Sequence, residues 1–137
     1  MSASNILLVD DEKDFRDTLV KLLARRGYMV VTAEDGAHAL RMVLRGGIEV
    51  VLLDLKMPGL SGIDTLREFK RIDPALEVII LTGHLLKSTE QEGLALGAFA
   101  YLTKPCTVVE LVRTIDAARR HRGEKDGEKD TGGSVAP

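Results

Sequence analysis

The chain has 137 residues, 45% of them hydrophobic, which suits one domain with an ordinary buried core. Its 19 Lys and Arg residues nearly balance 21 Asp and Glu residues, which argues against the basic field of a direct nucleic-acid binder. Apolar runs reach only about five residues, far short of the roughly 20 that span a bilayer, so we expect a soluble, cytoplasmic protein.

Short apolar runs alternate with amphipathic stretches along the chain. In the first amphipathic stretch, Phe15, Leu19 and Leu22 recur at helical spacing, and Gly27 marks its end. The apolar runs lie about 20 to 28 residues apart, which leaves room for one helix between neighbours. They cover residues 6–9, 29–31, 50–53, 78–81 and 99–102. The pattern predicts five βα units and a parallel sheet with helices on both faces.

Two later helices carry capping chemistry at their predicted starts. Ser61 is followed three residues on by Asp64, and Thr107 is followed by Glu110. A hydroxyl and a carboxylate at this spacing can satisfy the free N–H groups of a first helical turn. We therefore expect helices to begin at both places.

The pattern weakens after residue 122, where polar residues and glycines replace the apolar periodicity. We interpret residues 1–122 as the folded domain and residues 123–137 as a disordered tail or the start of a linker to an output domain. The basic run at residues 119–122 is expected to lie at the end of the last helix, where cations are favourable.

Two of the apolar runs end in acids. The first leads into Asp10, Asp11 and Glu12, and the third leads into Asp54. Parallel sheets place their ligand sites at the carboxyl ends of the strands, so these carboxylates are expected to meet. Like charges this close repel unless a cation lies among them, which indicates either a divalent-metal site or strained ion pairing. Taken singly, Asp10 or Asp11 could equally be a helix N-cap.

The fourth and fifth strands end at Thr82 and at Lys104-Pro105. With the acids, this set resembles the receiver domain of two-component response regulators, and the likeness covers roughly residues 4–122. The matching segments are LLVDDE at 7–12, DLKMPGLSG at 54–62, LTG at 81–83 and GAFAYLTKP at 97–105. The resemblance implies a doubly wound, flavodoxin-like fold with strand order 2-1-3-4-5.

The resemblance also implies a chemistry for each acid. Asp54 would take a phosphoryl group from a phosphohistidine, which a carboxylate can do without a general base. Mg²⁺, with Mn²⁺ as a substitute, would be held by Asp54, by Asp11 directly, by Asp10 through water and by the backbone carbonyl of Lys56. Thr82 and Lys104 would hold the phosphoryl oxygens.

A conformational switch is implied as well. After phosphorylation, Thr82 is expected to move toward the new oxygens, and Tyr101 to rotate into the vacated space. The face built from the fourth helix, fifth strand and fifth helix would then change. Pro105 matches a position that is preceded by a cis peptide bond in the family.

The implied partners are a sensor histidine kinase or phosphotransfer protein upstream, and an effector protein or a C-terminal output domain downstream. Such a protein is not a conventional enzyme, although it catalyses its own phosphorylation and dephosphorylation at Asp54. The sequence leaves the oligomeric state open.

Three alternative functions compete with this one. A dehalogenase-like phosphatase would need a second aspartate at the position of Lys56, and a nucleotide or flavin binder would need a glycine-rich loop where Asp10 and Asp11 stand. A phosphorylation-independent interaction module with the same fold is the most serious rival. Labelling of the protein by acetyl phosphate with Mg²⁺ would distinguish it.

Overall fold

Each predicted apolar run forms a strand, and each strand is followed by a helix. The computed structural model describes residues 5–56, 61–83 and 86–135; for Asn5 and residues 124–135 it describes the backbone only. The elements are β1 Asn5–Val9, α1 Lys13–Ala24, β2 Met29–Ala33, α2 Gly36–Leu44, β3 Val50–Leu53, α3 Gly62–Ile72, β4 Glu77–Thr82, α4 Lys87–Ala95, β5 Ala100–Thr103 and α5 Val108–Val135. The five predicted βα units are confirmed.

The five strands form one parallel sheet in the order β2-β1-β3-β4-β5, which confirms the predicted fold class. Alternate residues of a strand face opposite sides of a sheet. Leu7 and Val9 accordingly join one apolar cluster with Phe69 of α3, whereas Ile6 and Leu8 join a second cluster with side chains of α1 and α5. Because both faces are covered, β3 and β4 are buried along their whole length.

The local start and stop signals behave as predicted. The hydroxyl of Ser61 accepts the N–H of Asp64 at 3.1 Å, and the hydroxyl of Thr107 accepts the N–H of Glu110 at 3.0 Å. Gly27, just past the end of α1, has φ +90°, a conformation that costs little only for glycine. Within the described ranges, no helix has the length and apolarity needed to cross a membrane.

Helix α5 differs from the prediction at its C-terminal half. Its backbone continues to Val135, so the basic run at residues 119–122 lies inside the helix, and its assignment to a helix C-terminus is wrong. The basic side chains instead reach acids at the edge of the sheet where the strands begin. These pairs are Arg119 with Glu49, His121 with Glu77 and Arg122 with Asp73.

The backbone of residues 123–135 is helical in the structure, and the interpretation of residues 123–137 as a disordered tail or the start of a linker stays a prediction. The prediction rested on the shortage of apolar side chains, which bears on packing, whereas Glu and Lys are themselves good helix formers. The division of the chain at residue 122 stays a prediction.

Tyr28, one residue before β2, connects that strand to α5. Its hydroxyl is hydrogen bonded to the carboxylate of Asp116, and the side chain is buried. Burial, followed by the hydrogen bond and charge of Asp116, raises the pKa of Tyr28 from 10.0 to about 12. The neutral phenol is therefore the form that the fold stabilises.

This raised pKa predicts a specific loss of stability in alkali. The contribution of Tyr28 should be complete below pH 10, the ordinary value, and should be lost as pH rises through about 12. In a phenolate absorbance titration, the folded wild type should show a component near pH 12 that Tyr28→Phe lacks. Titration of both tyrosines at their ordinary pKa, in protein that is still folded by circular dichroism, would contradict this assignment.

Candidate functional site

The backbone brings the predicted site residues to one edge of the sheet. The main-chain N–H groups of Asp10, Asp54 and Lys104 each extend the sheet hydrogen bonding one residue past the end of a strand. The Asp10 N–H donates to the carbonyl of Ala33 at 3.1 Å, and the Asp54 N–H donates to that of Val9 at 3.0 Å. The Lys104 N–H donates to the carbonyl of Thr82 at 2.9 Å. The carboxyl ends of the strands thus converge, as the sequence predicted.

Three carboxylates meet at this edge. Asp10 and Asp54 are buried, with relative exposures of 1% and 6%, while Asp11 is exposed. One oxygen from each of the three residues lies within 4.8 Å of the others. Carboxylate oxygens are the hard donors that Mg²⁺ prefers, and so dense a negative charge favours a divalent cation. The residues present therefore fit the predicted metal.

The two carboxylate oxygens of Asp54 have different partners. Oδ1 accepts the hydroxyl of Thr82 at 2.9 Å and the backbone N–H of Lys56 at 3.0 Å. Oδ2 accepts the ammonium of Lys104 at 3.3 Å. A hydroxyl and a cation thus lie beside the carboxylate that the sequence singled out as acceptor.

Lys104 is the cation of the cluster. Its Nζ lies 2.6 Å from Asp10 Oδ2 and 3.9 Å from Glu12 Oε1, and only 17% of its side chain is exposed. Burial lowers the pKa of Lys104, but the hydrogen bond and charges of Asp10 and Asp54 outweigh it and leave that pKa above its ordinary value. For Asp10, burial is the largest influence and raises the pKa of the carboxyl, although the Lys104 ammonium opposes the rise.

The alternative that Asp10 or Asp11 caps a helix is not borne out. The N-cap of α1 is Glu12, and no side chain caps this helix terminus. Asp10 Oδ1 instead accepts the N–H of Glu12 at 2.9 Å, which holds the loop after β1. The acids lie at the strand ends and not in the first helical turn.

The structure does not bring Tyr101 into the acid cluster. This side chain lies on β5, is half-buried and packs against the apolar cluster that contains Leu7 and Val9. Burial, with the nearby charge of Glu90, raises the pKa of Tyr101, while a hydrogen bond with the backbone of Leu86 opposes the rise.

Two further predictions concern loops at this edge. The peptide bond between Lys104 and Pro105 is cis, as expected. Residues 57–60 of the DLKMPGLSG segment lie outside the described residues, as do residues 84–85.

Three residues near the site were missed by the sequence analysis. Phe15 places its ring 4.1 Å from the Lys104 ammonium, and Arg16 Nη1 donates to the carbonyl of Asp10 at 2.7 Å. Gly62 was quoted only as part of a motif. A Cβ there would lie 2.4 Å from the Cα of Leu55 and 2.9 Å from the carbonyl oxygen of Asp54, so a larger residue would displace the loop after β3. In the sequence, Phe15 shows only its helical spacing, and that spacing indicates a core residue.

A doubly wound parallel sheet with an acid cluster, a hydroxyl and a lysine at its carboxyl edge defines a response regulator receiver domain. The response regulator receiver domain family matches residues 6–116, and the chain belongs to this family. Receiver domains bind Mg²⁺ through an acidic cluster, and Asp10, Asp11 and Asp54 form such a group here.

Relatives and solved structures agree with this membership. The chain is 36% identical over 129 residues to the sensory transduction protein RegX3 of Mycobacterium tuberculosis, covering 94% of this chain and 56% of that protein. A receiver domain protein of Clostridium thermocellum has 39% identity and a TM-score of 0.84, with 88% of this chain and 97% of that chain covered.

The CheY of Borrelia burgdorferi, solved with CheX, BeF3 and Mg, has 24% identity and a TM-score of 0.81, covering 85% of this chain and 89% of that chain, and shares the fold. The chain spans about half the length of the first curated relatives that it matches.

Proposed function

We propose that this domain is a phosphorelay receiver in which Asp54 accepts a phosphoryl group from a sensor histidine kinase or a phosphotransfer protein. The observation that carries the proposal is the environment of Asp54: a buried carboxylate with Thr82 and Lys104 on its oxygens and two further acids beside it. An isolated structural aspartate has no need of such neighbours.

The transfer needs no general base. An oxygen of Asp54 attacks the phosphorus of a phosphohistidine, the P–N bond breaks, and its electron pair leaves with the imidazole. Water later hydrolyses the acyl phosphate. The domain thus catalyses its own phosphorylation and dephosphorylation and is not a conventional enzyme. Thr82 and Lys104 donate hydrogen bonds to the phosphoryl oxygens and offset their charge, which is the main requirement of phosphoryl transfer.

Mg²⁺ would be held by Asp54, by Asp11 directly, by Asp10 through water and by the backbone carbonyl of Lys56, with Mn²⁺ as a substitute. When bound, the ion supplies positive charge among carboxylate and phosphoryl oxygens that would otherwise repel one another. Lys104, already paired with Asp10 and Asp54, shares this task.

For the output, we propose a switch that runs from Thr82 to Tyr101. The Thr82 hydroxyl now donates to Asp54, and in the β4–β5 register Ile80 lies beside Tyr101 and Thr82 beside Thr103. If Thr82 turns to the phosphoryl group, Tyr101 can rotate inward. That rotation would break its hydrogen bond with Leu86, which immediately precedes α4, and so alter the α4-β5-α5 face.

The altered face would control an effector protein or an output domain that follows in the same chain, within the cytoplasm. Among the relatives are the transcriptional regulatory proteins ZraR and GlrR of Escherichia coli, of which the chain spans 28% and 26%. Those proportions support an attached output domain, which we propose without assigning its activity.

Acetyl phosphate with Mg²⁺ tests the acceptor directly. Intact-mass spectrometry of the wild type should show the mass of one added phosphoryl group, whereas Asp54→Asn should show none. Lys104→Gln should slow the labelling about a hundredfold, because it removes a preformed charge from the transferring group. A wild type that stays unlabelled, while a known receiver is labelled in the same buffer, would favour the phosphorylation-independent interaction module.

Tyrosine fluorescence tests the switch, since the chain has two tyrosines and no tryptophan. In a Tyr28→Phe background, the fluorescence of Tyr101 should become harder for acrylamide to quench after phosphorylation. Thr82→Ala should keep the acceptor but lose most of this change, because the hydroxyl that moves is gone. Equal quenching before and after full labelling would rule out the proposed rotation.

A further inference from the structure

Among the described ion pairs, hydrogen bonds and ring contacts of the Lys104 ammonium, the Phe15 ring is the one partner that is not a carboxylate. The ring centroid lies 4.1 Å from Nζ, well inside the roughly 6 Å at which an ammonium is attracted to an aromatic face. The remaining described partners of Nζ are Asp10 at 2.6 Å, Asp54 at 3.3 Å and Glu12 at 3.9 Å.

The surroundings of Asp10 and Asp54, the two nearest carboxylate partners, would change during the proposed reaction, whereas the ring would not. Before the transfer, a divalent cation shared by Asp10 and Asp54 would weaken their attraction for the ammonium, and after it the negative charge at Asp54 would lie on the phosphoryl oxygens. Phe15 lies in the first turns of α1, which is anchored to the end of β1 by the Arg16 hydrogen bond to the Asp10 carbonyl. This anchoring favours a constant position of the ring beside Lys104.

We propose that Phe15 is a positioning residue for phosphoryl transfer, whose aromatic face keeps the Lys104 ammonium beside Asp54 when the carboxylates are neutralised. The inference rests on the proposed function of Asp54 and Lys104. Phe15 does not touch the reacting atoms itself; it acts through Lys104.

Simple packing is the competing explanation. Phe15 also lines an apolar cleft of about 140 Å³ between α1 and α5, together with Leu19, Leu22, Cys106 and Leu111. If packing were the whole role, an aliphatic side chain of similar size would serve as well. Positioning of Lys104 therefore requires the π electrons of the ring, whereas simple packing does not.

Site-specific fluorinated phenylalanines at position 15 separate the two roles. One to three ring fluorines progressively weaken the negative face with little change of shape, so the logarithm of the labelling rate should fall steadily with fluorine number. Phe15→Leu should lower the maximal rate about three- to tenfold, and Phe15→Tyr should restore it to within about twofold of wild type. The donor should be acetyl phosphate, because a protein donor could also contact α1.

The test also compares the maximal rate with the half-maximal acetyl phosphate concentration, and it includes a matched control variant. The maximal rate should fall in Phe15→Leu, with little change in the acetyl phosphate concentration for half-maximal rate, because the ammonium acts on the transferring group. Leu22→Ala removes apolar volume from the same cleft and should leave the rate unchanged, while its melting temperature reports the packing cost.

The inference would be overturned if the wild type is labelled and the rate is the same across the fluorinated series and in Phe15→Leu. That result would leave the proposed function intact. An equal loss of rate in Leu22→Ala and Phe15→Leu would also overturn it, in favour of packing. Absence of labelling in the wild type itself would instead contradict the proposed function.

Discussion

The pairing of one lysine with a group of buried acids is the interaction on which the rest of this domain depends. Asp10 and Asp54 are nearly inaccessible to water, and the Lys104 ammonium, which lies 2.6 Å from one and 3.3 Å from the other, is the cation that offsets their charges. Carboxylates removed from water and placed side by side repel, and burial, followed by the charge of Asp54, raises the pKa of Asp10. Three carboxylates beside one ammonium leave two negative charges unbalanced, which fits the divalent ion that receiver domains bind.

The parallel sheet is what makes this arrangement possible. β1 and β3 are neighbours, and β4 and β5 are neighbours, so side chains from opposite halves of the chain reach one edge. The opposite edge of the sheet is fixed separately, by pairs between α5 and residues at or just before the starts of strands, such as His121 with Glu77. One end of the sheet thus gathers the acid cluster and Lys104, while the other attaches α5.

Much of this could be predicted from the sequence, and the exceptions have physical causes. Apolar runs that end in acids mark both the strands and the acid cluster, because burial on two faces demands the runs and the carboxyl edge gathers the residues just past each strand. Contacts through space, such as that between Phe15 and Lys104, leave no such trace, because helical spacing reports only that Phe15 faces the core. The partners of the basic run at residues 119–122 were hidden in the same way, since these acids lie far away in sequence.

Calorimetric titration with Mg²⁺ tests the central claim most directly. The claim is that the acid group is a cation site whose negative charge Lys104 offsets only in part. The wild type should bind one ion saturably, and Asp11→Asn and Asp54→Asn should each weaken binding by at least about tenfold, because each removes a charged oxygen donor. Lys104→Gln should bind the ion more tightly than the wild type, because the competing ammonium is gone. A wild type that binds no Mg²⁺, or that binds it no better than Asp11→Asn and Asp54→Asn do, would contradict the account.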